Sequence, residues 1–349
     1  MDEAKTWRAR KQSVAPNPRR SAMTQVNRRT LLGFAGALAV APPTFARPTA
    51  YPDPERELMV PVRGGQIYVR TNGPLDGPRP PLVVAHGGPG GNHGSYLELL
   101  PLINERGLIL YDQLDSGRSD RPNDPANWTV DRFVDELEPI RAALGVPRWH
   151  VMGHSWGGTI ALEYGARRPH ALAGLCLASP LISTRSWLGD TNALRRMLPA
   201  EIQTELAACE TPAPPPVDRC SAAEMEFLTR FGGRQPAPEA LIAYLGLPGN
   251  RGFNPDLYRT MWGTTEFTAT GTLKTYDGEP LLARLDGPRT LFLVGQYDEA
   301  RPVTAALFAE RVPEAEFAVV PGAAHSLHVD RPDEAVAVLR AWLRRQDRL

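Results

Sequence analysis

The sequence predicts an α/β fold in which a mostly parallel central sheet carries helices on both faces and an inserted helical cap. Three observations predict it. Short apolar runs alternate with stretches of helical period, the signature of strands laid parallel through helical crossovers. A glycine-flanked serine, Gly153-His154-Ser155-Trp156-Gly157-Gly158, sits where a strand signal hands over to a helix signal. Between Leu181 and Leu285 the strand signals fade, and helix-like segments broken by prolines such as Thr211–Val217 take their place. The expected organisation is therefore 1–46 as a leader, 47–181 and 286–349 as two parts of one sheet domain, and 182–285 as the cap.

The leader is read from its order of features. Leu31–Val40 is ten apolar residues, well short of the ~20 needed to cross a bilayer as a helix. Arg28-Arg29 stand directly before it and Thr44-Phe45-Ala46 after it. This resembles a twin-arginine export signal cleaved after Ala46, with the precursor engaging the Tat export machinery and the mature protein periplasmic or secreted. Met23 is an alternative start.

The composition narrows the partners. The 349 residues are 42% hydrophobic, and 39 basic side chains balance 39 acidic ones, so the chain buries a core and has no net charge to draw it to nucleic acid. A small molecule or peptide is the expected ligand. The mature chain opens with an antiparallel hairpin, because two alternating runs between Glu57 and Asn72 flank Arg63-Gly64-Gly65. Further strands are expected at Leu82–Ala85, Leu108–Tyr111, Trp149–Met152, Leu172–Ala178, Thr290–Val294 and Glu316–Val320. Helices are expected at Thr129–Leu144 with a kink at Pro139, at Trp156–Arg167, and at Pro332–Arg345, where Ala335, Val338, Leu339 and Trp342 share a face. Of three cysteines, Cys176 falls in an apolar strand and reads as a core thiol. Cys209 and Cys220 bracket the proline-rich loop, and both a disulfide and two separate thiols fit that spacing.

The glycine-flanked serine between strand and helix is the setting of a nucleophile elbow, so Ser155 is the expected nucleophile. A serine hydroxyl needs a base of matched pKa. Among seven histidines, His325 lies in the small-residue loop Pro321–Ser326 after the last strand, with His328 as its rival, while His86 and His154 read as structural hydrogen-bonders. The carboxylate that orients the imidazole is Asp298, directly after the strand TLFLV; the adjacent Glu299 reads as a loop acid. The order Ser155, Asp298, His325 is that of the α/β-hydrolase fold. Gly88 in His86-Gly87-Gly88-Pro89-Gly90-Gly91 and the backbone N–H of Trp156 are the expected oxyanion donors. No Gly-Lys-Ser/Thr follows that glycine run and no H-E-x-x-H occurs, which disfavours a nucleotide cofactor and catalytic zinc.

His86–Gly90 (HGGPG), Tyr111–Ser119 (YDQLDSGRS) and Gly153–Gly158 (GHSWGG) together resemble the proline iminopeptidase family of serine peptidases, over the chain from about Glu57 onward. Asp115 departs from that pattern, standing where relatives usually carry glycine; aspartate tolerates left-handed backbone better than most residues. The resemblance implies release of an N-terminal residue from short peptides or amides, with cap glutamates holding the substrate's free ammonium. By motif, Trp262–Thr268 with Gly271-Thr272-Leu273 implies Glu266 as the first ammonium ligand, and Glu226 as the second. The alternative is a general α/β hydrolase, an esterase or C–C bond hydrolase with the same triad and no need of a free amine.

Overall fold

The computed structural model describes residues 49–211 and 213–349; the leader expected at 1–46 lies outside them. Eight strands form one sheet in the order β1-β2-β4-β3-β5-β6-β7-β8. β1 (Arg56–Val62) and β2 (Gly65–Asn72) make the expected hairpin, and β2 also runs antiparallel to β4 (Leu108–Tyr111). From there β3 (Leu82–Ala85), β5 (Trp149–His154), β6 (Leu172–Ala178), β7 (Thr290–Gly295) and β8 (Glu316–Val320) are parallel to their neighbours.

Period-2 alternation sorts the strand residues between two cores. Val83, Ala85, Ile109, Val151 and Leu177 pack on one face; Leu82, Val84, Leu108, Met152 and Cys176 pack on the other. Burial on both faces explains why these strands read as unbroken apolar runs. The first face is covered by α1 (Val130–Val134), α2 (Leu137–Leu144) and α3 (Trp156–Ala166), through residues such as Phe133, Ile140 and Ile160.

The single kinked helix expected over Thr129–Leu144 is instead two helices. Pro139 has no N–H to donate to the carbonyl four residues back, so the chain breaks at Asp135-Glu136 and Pro139 falls in the first turn of α2, where the missing donor costs nothing.

Between β6 and β7 the described residues contain only helical elements: α4 (Thr184–Arg195), α5 (Ala200–Cys209), α6 (Val217–Phe231), α7 (Glu239–Leu245), α8 (Pro255–Met261) and short 3-10 turns. This insertion has a small core of its own, built from Leu194, Leu206, Phe227, Phe231 and Phe267. α5 and α6 are joined by a disulfide between Cys209 and Cys220, and Cys176 is a buried free thiol in β6. The chain then returns to the sheet and closes with α9 (Pro302–Glu310), α10 (Leu327–Asp330) and α11 (Pro332–Gln346), whose Ala335, Leu339 and Trp342 are fully buried in the second core.

Candidate active site

β5 ends in a turn too tight for anything but glycine at two points. A Cβ on Gly153 would lie 2.0 Å from the Gly157 carbonyl oxygen, and one on Gly157 would lie 2.0 Å from that of Ala85. The close approach holds Ser155 at φ 57°, ψ −122°, a conformation that non-glycine residues adopt only when the surroundings enforce it. Ser155 thus stands at the carboxyl edge of the sheet, at the head of α3.

His325 and Ser155 line one cavity of about 320 Å³. The His325 Nδ1–H donates to Asp298 Oδ1 at 2.8 Å. Asp298 is 1% exposed and fully engaged: it accepts from the backbone N–H of Gly295 at 3.0 Å and of Ala300 at 2.9 Å, and from the Ser179 hydroxyl. It can therefore orient the imidazole without rotating. The base loop is pinned from the insertion, since the His325 N–H donates to the Phe231 carbonyl at 3.0 Å and that of Ser326 to Gly232 at 2.7 Å. No hydrogen bond closes between the Ser155 hydroxyl and His325, a contact that such sites commonly tighten around substrate.

The glycine loop after β3 lies against the elbow. A Cβ on Gly87 would sit 3.1 Å from that of Ser155, and Gly88, at φ 124°, lines the cavity with Trp156. Gln113 of the YDQ segment ties the loop to the elbow. Its amide donates to the His86 carbonyl at 2.9 Å, its oxygen accepts from Trp156 Nε1 at 2.9 Å, and its backbone N–H donates to His86 Nε2 at 3.0 Å. Burial lowers His86 to about 4, so the ring is neutral and can accept that bond. A second bridge runs from the Gly87 N–H to the Tyr96 hydroxyl, from that hydroxyl to His154 Nδ1 at 2.9 Å, and from His154 Nε2–H to the His325 carbonyl at 2.8 Å. His86 and His154 are thus the structural hydrogen-bonders their sequence context suggests. His328 stacks on Tyr96 at 4.4 Å, accepts or donates at Ser95 Oγ at 3.1 Å, and is driven well below the usual imidazole value by burial. Asp115 adopts φ 65°, and its carboxylate accepts from Trp128 Nε1 at 2.7 Å and the Asn123 N–H at 2.8 Å, which secures the left-handed turn.

Of the two glutamates implied by the cap motif, Glu266 lines the cavity. Trp187 Nε1 donates to it at 3.3 Å, and the Tyr258 hydroxyl donates to its other oxygen. Glu226 does not reach the cavity; it is exposed on α6. Glu224 comes nearer without lining the cavity, accepting the Glu266 N–H at 3.2 Å, with its pKa pushed up to about 7 by burial and then by the Glu266 charge. The apolar stripe of α6 is Ala223, Phe227 and Phe231, and at about 100° per residue Glu224 lies nearer its centre than Glu226. That phase is the signal in the sequence that distinguishes them.

The residue missed from sequence is Glu299. It is 4% exposed, lines the cavity, and places Oε1 3.7 Å from His325 Nε2, while its Oε2 has no hydrogen-bond partner. Burial first, and the charges of Glu266 and Asp298 after it, raise its carboxyl well above the usual range, with His325 acting the other way. Two consecutive acids at the carboxyl end of an apolar strand were the available signal.

The parallel sheet, the elbow and the Asp298–His325 pair define an α/β hydrolase. Residues 80–332 match the family model described as alpha/beta hydrolase fold. Proline iminopeptidase of Heyndrickxia coagulans is 35% identical over 288 residues, covering 82% of this chain and 98% of that protein. The corresponding protein of Levilactobacillus brevis is 32% identical, covering 84% and 97%. Among solved structures, proline iminopeptidase of Mycobacterium smegmatis superposes with a TM-score of 0.74 at 32% identity, and VinJ with 0.77 at 31%, each covering 84% of this chain and 99% of its own. The chain belongs to the proline iminopeptidase family of α/β hydrolases.

Proposed function

We propose that this protein is an exported serine aminopeptidase that releases N-terminal proline from short peptides or amino-acid amides. The observation that carries the reading is the buried Glu299, which lines the same cavity as Ser155 and His325 and has a carboxyl oxygen with no hydrogen-bond partner. A buried carboxylate with an oxygen left unpaired is costly unless a cation joins it, and a substrate's α-ammonium is the cation that would place its first carbonyl beside Ser155. Glu266 adds a second acceptor. Trp187, Trp262 and Tyr258 wall the same space, an apolar surround suited to a pyrrolidine ring.

The mechanism follows from these positions. Ser155 attacks the carbonyl while His325 takes its proton, and Asp298 stabilises the imidazolium. The N–H groups of Trp156 and Gly88 receive the developing oxyanion. His325 then returns the proton to the leaving amine, and water hydrolyses the acyl-enzyme by the same route.

The test is kcat/KM on L-prolyl and L-alanyl arylamides, their N-acetylated forms and a short acyl ester, each repeated with Ser155→Ala. Serine-dependent cleavage of the free-amine arylamides, with prolyl preferred and acetylation abolishing turnover, is the expected result. Turnover of the ester alone would replace this reading with a general hydrolase.

Export is supported by Arg28-Arg29, the apolar run Leu31–Val40 and the small residues ending at Ala46. The Cys209–Cys220 disulfide also suits an oxidising compartment. N-terminal sequencing of the exported protein should begin at Arg47, and Arg28→Lys with Arg29→Lys should leave the precursor inside the cell.

A further inference from the structure

The His325 imidazole stands between two carboxylates. Asp298 takes its Nδ1–H at 2.8 Å, and Glu299 Oε1 lies 3.7 Å from Nε2, the nitrogen that must accept the Ser155 proton. The groups facing it from the surrounding elements add no countercharge. Glu266 approaches from the loop after α8, with Glu224 of α6 behind it. Trp187 of α4 meets the ring edge-on at 5.5 Å. His154 of β5 and His328 of α10 are held neutral, both primarily by burial, and among the described residues no Lys or Arg lines the cavity.

We propose that the substrate's ammonium activates the base: entering beside Glu299, it expels the proton that Glu299 and His325 hold between them, and His325 can then accept from Ser155. The proposal rests on the aminopeptidase reading above and deepens it. The step balances in charge and protons. A bound ammonium brings one positive charge into the site and one proton leaves to solvent, so Glu299 faces the ammonium as a carboxylate and His325 is left neutral.

In the free site the opposite arrangement holds. Burial alone would lower His325, but Glu299 and Asp298 outweigh it and raise the imidazole to about 9. At pH 7 the Glu299–His325 pair of the free site therefore keeps a proton that must leave before His325 can accept another. A substrate with no ammonium, such as an N-acetyl amide or a simple ester, leaves the proton in place and meets a base that cannot act. The free amine is therefore required for the chemical step as well as for binding, which separates this arrangement from a clamp that only raises affinity.

Two measurements test it. The rate of Ser155 inactivation by phenylmethylsulfonyl fluoride, followed against pH, reads the base in the free enzyme with no amine present. The wild type should show an apparent pKa at least one unit above that of Glu299→Gln, so that at pH 7 the variant is inactivated about tenfold faster. Equal pKa values would overturn the proposal. The second needs no variant: on L-prolyl p-nitroanilide the ascending limb of kcat should lie at least one pH unit below that of kcat/KM, because kcat reports the occupied site and kcat/KM the free one. Coincident limbs with normal prolyl turnover would overturn the activation and leave the peptidase standing. Complete absence of prolyl turnover would remove the peptidase reading, and the activation by ammonium with it.

Discussion

Glu224, Glu226, Glu266 and Glu299 show how little residue type alone says about a carboxylate's task. All four are glutamates near one site in the chain or in space, yet only Glu266 and Glu299 line the cavity, Glu224 supports Glu266 through its backbone, and Glu226 faces water. Charge-assisted contacts to a buried cation are worth about 1.5–3 kcal/mol, so Glu266→Gln should raise KM for prolyl arylamide by about tenfold or more. Glu226→Gln should leave KM within about twofold, as expected for an exposed acid. Steady-state kinetics of the two variants side by side checks both. The clustering of Ser155, Asp298 and His325 was legible because each follows an apolar strand: Ser155 after β5, Asp298 after β7, His325 after β8. Glu299 was not, because neighbouring loop residues point in different directions and only the surrounding packing decides which enters the cavity.

At the scale of elements, α6 does two jobs. Its carbonyl end pins the His325 loop through Phe231 and Gly232, and its middle carries Glu224. The Cys209–Cys220 disulfide joins this helix to α5 across a separation of 11 residues, and closing a loop of that size stabilises a fold by roughly 3 kcal/mol through the unfolded chain. Cys209→Ser with Cys220→Ser should lower Tm by roughly 5 °C. It should also raise KM more than it lowers kcat, because α6 holds the Glu266 backbone through Glu224; thermal unfolding and kinetics on the same preparation measure the two effects. The spacing of these cysteines permitted the bond but did not require it, since their separation in space depends on how α5 folds back on α6. The break between α1 and α2 has a similar lesson: Pro139 foretold a disturbance, and the N-terminal tolerance of helices for proline made it a new start at Leu137 instead of a kink.

For the whole molecule, acid stability turns on buried groups with displaced pKa values. Asp112 would be raised by burial, but the His93 charge and hydrogen bond, with the Arg118 N–H, hold it down at about 2. A carboxyl depressed in the folded state contributes stability above its unfolded value and loses it as pH falls through the folded one. His86 at about 4 and His154 at about 3, both lowered chiefly by burial, also cost stability as pH drops below the usual imidazole value. Glu136, raised to about 7 by burial against the Arg132 charge, acts in the opposite sense, but only above the ordinary carboxyl range. From Asp112 alone, urea unfolding at pH 4.5 and 2.5 should differ by about 1.5 kcal/mol, and Asp112→Asn should remove that share of the difference. The sequence by itself determined the strand and helix order, the elbow and the Ser155–Asp298–His325 series, because periodicity, glycine sterics and strand-end position are local properties of the chain. Only the tertiary structure decided which glutamates face the cavity, whether Cys209 meets Cys220, and that His325 lies between two carboxylates, because those depend on helix phase, loop direction and the packing of segments far apart in sequence.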